Sequence, residues 1–233
     1  AGNIGGGGFL LYRSARGEAV AYDFRETAPA RASADMFLRD GQYDPALHHH
    51  SHLAVGVPGT VAGLHRAWRD HGNLPWEQLL EPAIALAREG FMVTDGLARS
   101  LRSVFPEMAR HRASMEQFSR EGDLYEAGDI LQQEDLADTL ERIAREGPRG
   151  FYEGRTAGLI EKEMKRHGGL ITREDLKAYV GTYLQEEIRA EGLTRSVENF
   201  SRFLSVAGQC NGEQVNYTEV GNDAGVPPRT VRE

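Results

Sequence analysis

Two short runs of apolar and polar residues at the start of the chain predict two strands. The runs are "GFLLYRS" and "AVAYDFRE", and the sequence "ARGE" between them suits the turn of a hairpin. The stretch Phe9–Tyr12 is apolar at every position, as in a strand that is buried on both faces. A short helix is expected around Ala32–Leu38, within a mixed segment that continues to Ser51.

From residue 58 onward, apolar residues recur at spacings of three and four, which predicts helices. Val61, Leu64 and Trp68 form such a stripe, and Gly72 is a natural stop. In "PWEQLLEPAIALAREG" we expect Pro82 to end one helix and begin another, because proline lacks the amide donor that a helix interior needs.

The same rule predicts further helices up to residue 179. A glycine follows several of them, as expected at a helix end. The signals are a stripe of Leu97, Leu101, Val104 and Phe105, a stripe of Leu136, Leu140 and Ile143 before Gly147-Pro148, the run "TAGLIEKEMKRHGG", and the pair Thr172 and Asp175, spaced as in a capping box.

The pattern changes after Tyr179. The segment 180–233 is again helical in its periodicity, and its last part, "VNYTEVGNDAGVPPRTVRE", has the outline of a helix-turn-helix with Gly225 at the turn. We therefore expect two domains, 1–179 and 180–233.

Composition then excludes several classes of protein. The net charge of −8 over 233 residues makes nucleic acid an unlikely partner. The single cysteine, Cys210, excludes an internal disulfide and a CxxC metal site. No run reaches the ~18 apolar residues of a membrane span. The opening "AGNIGGGGFLLY" has neither Met nor the pattern of a signal peptide, so we expect that an N-terminal piece precedes it.

Three clusters are candidates for chemistry. The glycines of Ile4–Phe9 suit either close backbone packing at a strand entry or contact with an anion. The histidines of His48–His52 are interpreted as a solvated loop rather than a metal site. A set of acidic residues is interpreted as solvated helix faces with i,i+4 pairs, not as a catalytic dyad; it comprises Asp135, Asp138, Glu141, Glu161, Glu163, Glu174 and Asp175.

Arg25 is the strongest single candidate, because it places a charged guanidinium at the end of an apolar strand. The guanidinium can grip a carboxylate with two hydrogen bonds. Taken alone, the sequence leaves open a structural pair with Glu26 or Asp23 and the binding of a ligand's carboxylate.

Several segments, in order, resemble the large-subunit region of the γ-glutamyltranspeptidases, also called glutathione hydrolases. They are "GNIGGGGFLLY", "AVAYDFRETAPARASADMF", "HLAVGVPGTVAGLHRAWRDHGNLPWEQLLEPAIALAREGFMV", "FYEGRTAGLIEKEM" and "GGLITREDLKAY". The resemblance implies an α+β fold, part of the N-terminal-nucleophile hydrolase (αββα) architecture with two sheets between helix layers. It implies cleavage of γ-glutamyl amides such as glutathione, transfer of the γ-glutamyl group to water or amino acids, and no cofactor or metal. It also implies that Arg25 binds the α-carboxylate of the substrate, with Glu26 as a weaker candidate behind it.

The resemblance also shows what this chain lacks. The family nucleophile is a threonine that self-cleavage frees at the start of the small subunit, in a Thr-Thr setting, and this chain has no Thr-Thr pair. We therefore assign no catalytic residue, expect the chain alone to be inactive, and expect the missing small subunit as a partner. Without it, we expect exposed sheet edges and aggregation. The family is commonly periplasmic or secreted, which is the localisation that the resemblance implies.

The tail 180–233 resembles instead a C-terminal, helix-turn-helix-like part of bacterial AAA-type ATPases. The change at Tyr179–Val180 is therefore interpreted as a fusion of two unrelated gene pieces or an artefact of sequence assembly, rather than as a divergent family member with an unusual C-terminus. The alternative function is a non-catalytic interaction or DNA-contacting module, with Arg229 and Arg232 as its phosphate contacts.

Overall fold

The computed structural model describes residues 3–17, 19–120 and 122–180. The predicted helix-turn-helix and the rest of the tail after Val180 lie outside these residues. The described part is helix-rich with short strands, as expected for an α+β fold.

About half of the described residues lie in helices. The helices are α1 (Pro45–His50), α2 (Thr60–His71), α3 (Trp76–Glu89), α4 (Asp95–Met108), α5 (Arg112–Phe118), α6 (Glu134–Glu146), α7 (Arg149–Tyr152), α8 (Gly154–His167) and α9 (Arg173–Ala178), with a 3₁₀ turn at His52–Ala54.

The strands form antiparallel pairs. They are β1 (Phe9–Arg13), β2 (Ala19–Asp23), β3 (Leu38–Arg39), β4 (Gln42–Tyr43), β5 (Phe91–Met92), β6 (Ser119–Arg120), β7 (Asp123–Leu124) and β8 (Ile130–Leu131). The pairs are β1–β2, β3–β4, β5–β8 and β6–β7. Among the described residues every sheet has two strands, so these residues do not build the expected two-sheet sandwich.

The predicted hairpin is confirmed, but the prediction that its first strand is buried is wrong. Strands β1 and β2 pair from Phe9 opposite Asp23 to Arg13 opposite Ala19. Phe9 is 60% exposed, because among the described residues β1 pairs only with β2.

Two helix predictions also need correction. Residues 34–37 form turns instead of a helix, and Leu38 already belongs to β3. Ser33 Oγ donates a hydrogen bond to the Asp35 carboxylate at 2.6 Å. Such short polar side chains compete with helical hydrogen bonds. Pro82 does not divide α3. Pro82 and Gln78, whose carbonyl loses its helical partner there, are both exposed, so water can satisfy that carbonyl.

Most of the predicted helix ends are confirmed. Helix α2 ends before Gly72, α3 before Gly90, α6 before Gly147 and α8 before Gly168. The capping box of Thr172 and Asp175 begins α9. Two residues of the predicted apolar stripes, Leu64 and Val104, are exposed instead of buried.

The main core lies between helices α2, α3, α6, α7, α8 and α9. Its most buried large side chains include Tyr152, Ile143, Ile171 and Leu176. A second core joins α4 to β5, β7 and β8, and a third joins the β1–β2 hairpin to α2 through Tyr22, Phe24 and Ala67. The hairpin is thereby fixed on the helices.

An aromatic cluster closes the corner between α2 and α3. The ring centroids of Trp68 and Trp76 are 5.4 Å apart, and His65 lies 5.1 and 5.0 Å from them. The indole N–H of Trp68 donates to the Leu74 carbonyl at 2.8 Å, and that of Trp76 donates to the Ile143 carbonyl at 3.0 Å. Both rings are therefore held in place. Burial, with the nearby charge of Arg69, lowers the pKa of His65.

Candidate active site

The segment after β2 carries Arg25 and is fastened along its length. Phe24 extends the hairpin ladder by exchanging backbone hydrogen bonds with Gly8 at 2.9 and 3.3 Å. Thr27 exchanges a second pair with Val57 at 2.8 and 3.2 Å. Arg25 therefore lies between two anchored residues.

The glycine cluster of Ile4–Phe9 packs against this segment. A Cβ atom on Gly7 would lie 2.7 Å from the Arg25 Cα, closer than atoms can approach. The Gly6 carbonyl accepts hydrogen bonds from the Gly59 and Thr60 amides at 2.9 and 3.0 Å, at the start of α2. These amides thus have a protein partner. The contacts favour the close-packing interpretation of the cluster over anion contact.

Glycines also approach the segment from α2. A Cβ on Gly63 would overlap the ring of Phe24, and one on Gly59 would overlap both the Phe24 carbonyl and the Tyr179 hydroxyl. The segment that carries Arg25 is therefore packed tightly between two glycine-containing stretches of backbone, and this packing restricts its motion.

Both backbone polar groups of Arg25 are occupied by side chains. Its amide donates to Asp23 Oδ1 at 2.9 Å, and its carbonyl accepts from the Tyr179 hydroxyl at 2.9 Å. Tyr179 is 2% exposed. Nothing local in the sequence indicates that Tyr179 reaches Arg25, so sequence reasoning missed it.

The Arg25 side chain, in contrast, is exposed. Its guanidinium carbon lies 5.9 Å from the centroid of the Phe9 ring, at the outer limit of a cation–π contact. Among the described residues, neither Asp23 nor Glu26 forms an ion pair with it. The structural pair that the sequence left open is therefore not formed in this part of the chain.

Glu26 points to different neighbours from Arg25. Its Cβ lies 2.8 Å from the position of a Cβ on Gly56, and its carboxylate lies near Gly6. It lines a cavity of about 540 Å³ together with Thr27, Pro29 and Val55. The Glu26 side chain thus packs beside the glycine cluster, next to the backbone of the segment that carries Arg25.

The histidine cluster is helical, so the prediction of a loop is wrong. His48, His49 and His50 lie on α1, which begins at the Asp44 cap, and all three are exposed as expected. The Tyr43 hydroxyl shares a hydrogen bond of 2.7 Å with His48 Nδ1. Across the described ranges, no group of three potential ligands is arranged to hold a metal ion.

His52 lies apart from the other histidines and contacts α8. Its ring stacks on that of His167 with centroids 4.7 Å apart, and both rings face the Glu163 carboxylate, at 3.8 and 3.2 Å. Burial lowers the pKa of His52, and the neighbouring His167 lowers it further.

The acidic residues that were predicted to form solvated i,i+4 pairs on helix faces make structural contacts, but only some of them form such pairs. Glu161 pairs with Lys165 and Glu163 with His167 along α8, as predicted. Asp138 and Glu141 instead bind Arg88 of α3 at 2.9 and 2.7 Å, which joins α3 to α6.

Asp175 differs most from the predicted solvated residue, because its carboxylate is half-buried and both of its oxygens accept hydrogen bonds. Its carboxylate accepts from the amides of Ala30 and Thr172, both at 2.8 Å, and from the Thr172 hydroxyl at 2.7 Å. Burial opposes ionisation, but these hydrogen bonds prevail and lower the pKa of Asp175.

Comparison with known proteins assigns the chain to a family. The family model described as Gamma-glutamyltranspeptidase matches residues 1–195. The chain belongs to the γ-glutamyltranspeptidase family. A γ-glutamyltranspeptidase relative, the glutathione hydrolase proenzyme of Escherichia coli (strain K12), is 49% identical over 181 residues, which are 77% of this chain and 31% of the relative. Glutathione hydrolase 2 of Arabidopsis thaliana is 42% identical over 76% of this chain and 30% of its own length.

The fold agrees with this γ-glutamyltranspeptidase assignment. The crystal structure of Helicobacter pylori γ-glutamyltranspeptidase superposes with a TM-score of 0.75 at 45% identity, over 77% of this chain and 52% of that chain. The chain thus spans about a third of the length of the curated relatives that it matches. None of the helices among the described residues is long and apolar enough to cross a membrane.

A second family model, a domain of unknown function (DUF8612), matches residues 164–233 and overlaps the first over 164–195. The model that matches the tail therefore carries no ATPase description. The resemblance to AAA-type ATPases and the boundary at 179/180 stay predictions from the sequence.

Proposed function

We propose that this chain supplies the substrate-carboxylate clamp of a γ-glutamyltransferase, or glutathione hydrolase. Arg25 grips the α-carboxylate of the γ-glutamyl group through two parallel hydrogen bonds. The observation that carries the proposal is an exposed guanidinium without an ion-pair partner among the described residues, on a backbone whose amide and carbonyl are both held.

The guanidinium, which has no ion-pair partner within the described part of the chain, and the fixed backbone have complementary roles. A charged group that is already paired inside the protein would have to break that pair before it could bind substrate. A fixed backbone reduces the conformational entropy that is lost when the ligand binds. Arg25 combines both features, and the Glu26 side chain supports the same backbone from the side of the glycine cluster.

Bond cleavage requires residues that this chain does not contain. The family nucleophile is a threonine whose own amine acts as the base, in a Thr-Thr setting that is absent from this sequence. We infer that the chain binds the γ-glutamyl group and that a small subunit provides the nucleophile, completes the two-sheet αββα sandwich and covers the exposed Phe9. The purified chain should release no p-nitroaniline from γ-glutamyl-p-nitroanilide, and measurable turnover would contradict this.

Binding is tested with two ligands that differ in one group. L-Glutamine is a γ-glutamyl amide with a free α-carboxylate, and L-glutaminamide carries a carboxamide in its place. We expect glutamine, but not glutaminamide, to shift the side-chain Nε–Hε NMR signal of Arg25, which is assigned by its loss in Arg25→Lys. In Arg25→Gln the affinity for glutamine should fall by about tenfold or more, the value of a charge-assisted pair. Equal binding of the two ligands by the wild-type chain would refute the clamp.

For the tail we keep the proposal of a separate helical unit from residue 180. The match to the domain of unknown function covers residues 164–233, so it includes the whole of this unit and also overlaps the γ-glutamyltranspeptidase match over 164–195. A gel-shift experiment with and without residues 180–233 tests whether that unit contacts DNA through Arg229 and Arg232. We expect no shift, because the chain carries a net charge of −8.

A further inference from the structure

We infer that Tyr179 is a positioning residue for Arg25, and that Asp175 of helix α9 assists it. The inference rests on the proposed function of Arg25 and adds to it the groups that set the direction of the guanidinium. Its basis is the pair of hydrogen bonds that the residues around α9 make to the segment 25–30.

The first bond fixes the residue that carries the guanidinium. The Tyr179 hydroxyl donates to the Arg25 carbonyl at 2.9 Å across 154 positions of sequence. Because the Arg25 amide is held by Asp23, the bond to the carbonyl restrains the other end of the same residue. The main-chain torsions of Arg25, and hence the direction of its Cα–Cβ bond, are thereby set.

The second bond fixes the far end of the segment. Asp175 Oδ1 accepts from the Ala30 amide at 2.8 Å, while its other oxygen binds Thr172 at the start of α9. Helix α9 and the residue after it thus hold the segment at Arg25 and at Ala30.

The phenol of Tyr179 is itself rigid. Its ring is parallel to that of Tyr152, with an interplanar angle of 2° and centroids 5.9 Å apart. The Tyr152 hydroxyl donates to the Pro58 carbonyl at 2.8 Å and accepts from the Ala62 amide at 3.3 Å. At Gly59, the absence of a side chain allows the Tyr179 hydroxyl to approach. A rigid donor of this kind can hold Arg25 in one orientation.

Orientation matters for a carboxylate clamp because two parallel hydrogen bonds require the guanidinium and the carboxylate to be nearly coplanar. A site whose supporting residues are loose loses this geometry even though the binding residue is present. Tyr179 should therefore affect the recognition of the α-carboxylate without touching the ligand.

The test measures selectivity rather than stability. For wild type, Tyr179→Phe and Arg25→Gln, the dissociation constants of L-glutamine and L-glutaminamide are measured on the full chain by NMR titration. Tyr179→Phe keeps the stacked ring and removes one hydroxyl. We expect it to weaken glutamine binding about fivefold, the effect of one lost hydrogen bond, and to leave glutaminamide binding unchanged.

Tyr22→Phe is the matched control. Tyr22 is also buried, and its hydroxyl makes one hydrogen bond, of 2.9 Å, to Asp70. This variant should lose comparable stability and keep the wild-type ratio of the two dissociation constants. Asp175→Asn is a second variant, in which we expect a smaller loss of selectivity.

The outcomes separate the two proposals. If Arg25→Gln abolishes selectivity, and Tyr179→Phe has the same ratio of the two dissociation constants as Tyr22→Phe, then the positioning role is wrong but the clamp is supported. If Arg25→Gln leaves selectivity unchanged, the clamp itself is wrong. If Tyr179→Phe loses selectivity while Tyr22→Phe keeps it, the positioning role is confirmed.

Discussion

The Cα atoms of Gly7 and Arg25 lie so close that a methyl group on Gly7 would come within 2.7 Å of the Arg25 Cα. The glycine-rich start of the chain is thus shaped to the backbone of the residue that we propose to bind substrate. Substitutions here therefore test the packing of the clamp directly.

Gly7→Ala should destabilise the chain by about 1–3 kcal/mol, because the new methyl group overpacks against backbone that cannot move aside. Urea unfolding measures the change. Gly5→Ala is the control, since a Cβ at Gly5 would lie 3.6 Å from Asn3 Oδ1, an ordinary contact. Equal losses in the two variants would show that Gly7 does not pack tightly.

Arg25→Gln should leave the unfolding temperature unchanged, because the guanidinium forms no ion pair with the described residues and is exposed. Arg88→Gln, in contrast, should lower it, since Arg88 joins α3 to α6 through Asp138 and Glu141. Thermal unfolding of both variants is the measurement. A clear loss in Arg25→Gln would point to a structural partner.

Asp175→Asn should lower the free energy of unfolding by about 1 kcal/mol at pH 7, because an amide cannot accept all the hydrogen bonds of the carboxylate. The pKa of Asp175 is lowered in the folded state, so its contribution is present above the ordinary value of 3.8 and is lost as the pH falls below it. The difference between wild type and variant should therefore shrink in acid. Glu174→Gln, on the same helix but exposed, should change stability by only a few tenths of a kcal/mol at pH 7.

His52 should make the chain less stable in mild acid. Its pKa is lowered by burial and by His167, so the stability that it contributes as a neutral ring is present above the ordinary value of 6.5. This stability is lost as the pH falls through the window below that value. In His52→Gln, the decrease in unfolding free energy between pH 7.5 and 5.5 should be smaller than in wild type. If the decrease in unfolding free energy is the same in His52→Gln as in wild type, titratable groups other than His52 cause it.

Local patterns were enough to predict the hairpin and most helices, because periodic apolar residues and terminal glycines act over a few positions. Pro82 misled the prediction because its effect depends on exposure, which the sequence does not show. The segment 32–38 failed for a related reason, since Ser33 and Asp35 bond to each other rather than to a helix.

The site was predictable in part. Arg25 stood out as a charge at the end of a strand, but the sequence could not decide whether Asp23 or Glu26 would pair with it. That decision depends on the Asp23 carboxylate turning to the Arg25 amide. Tyr179 could not be found from the sequence at all, because the contact joins residues 154 positions apart.

The aromatic corner between α2 and α3 determines what optical spectroscopy can observe in this protein. Trp68 and Trp76 are the two tryptophans of the chain, so intrinsic emission reports on that corner. A change in emission during unfolding would therefore follow the separation of α2 from α3, because each indole is held at that corner by a hydrogen bond to a backbone carbonyl.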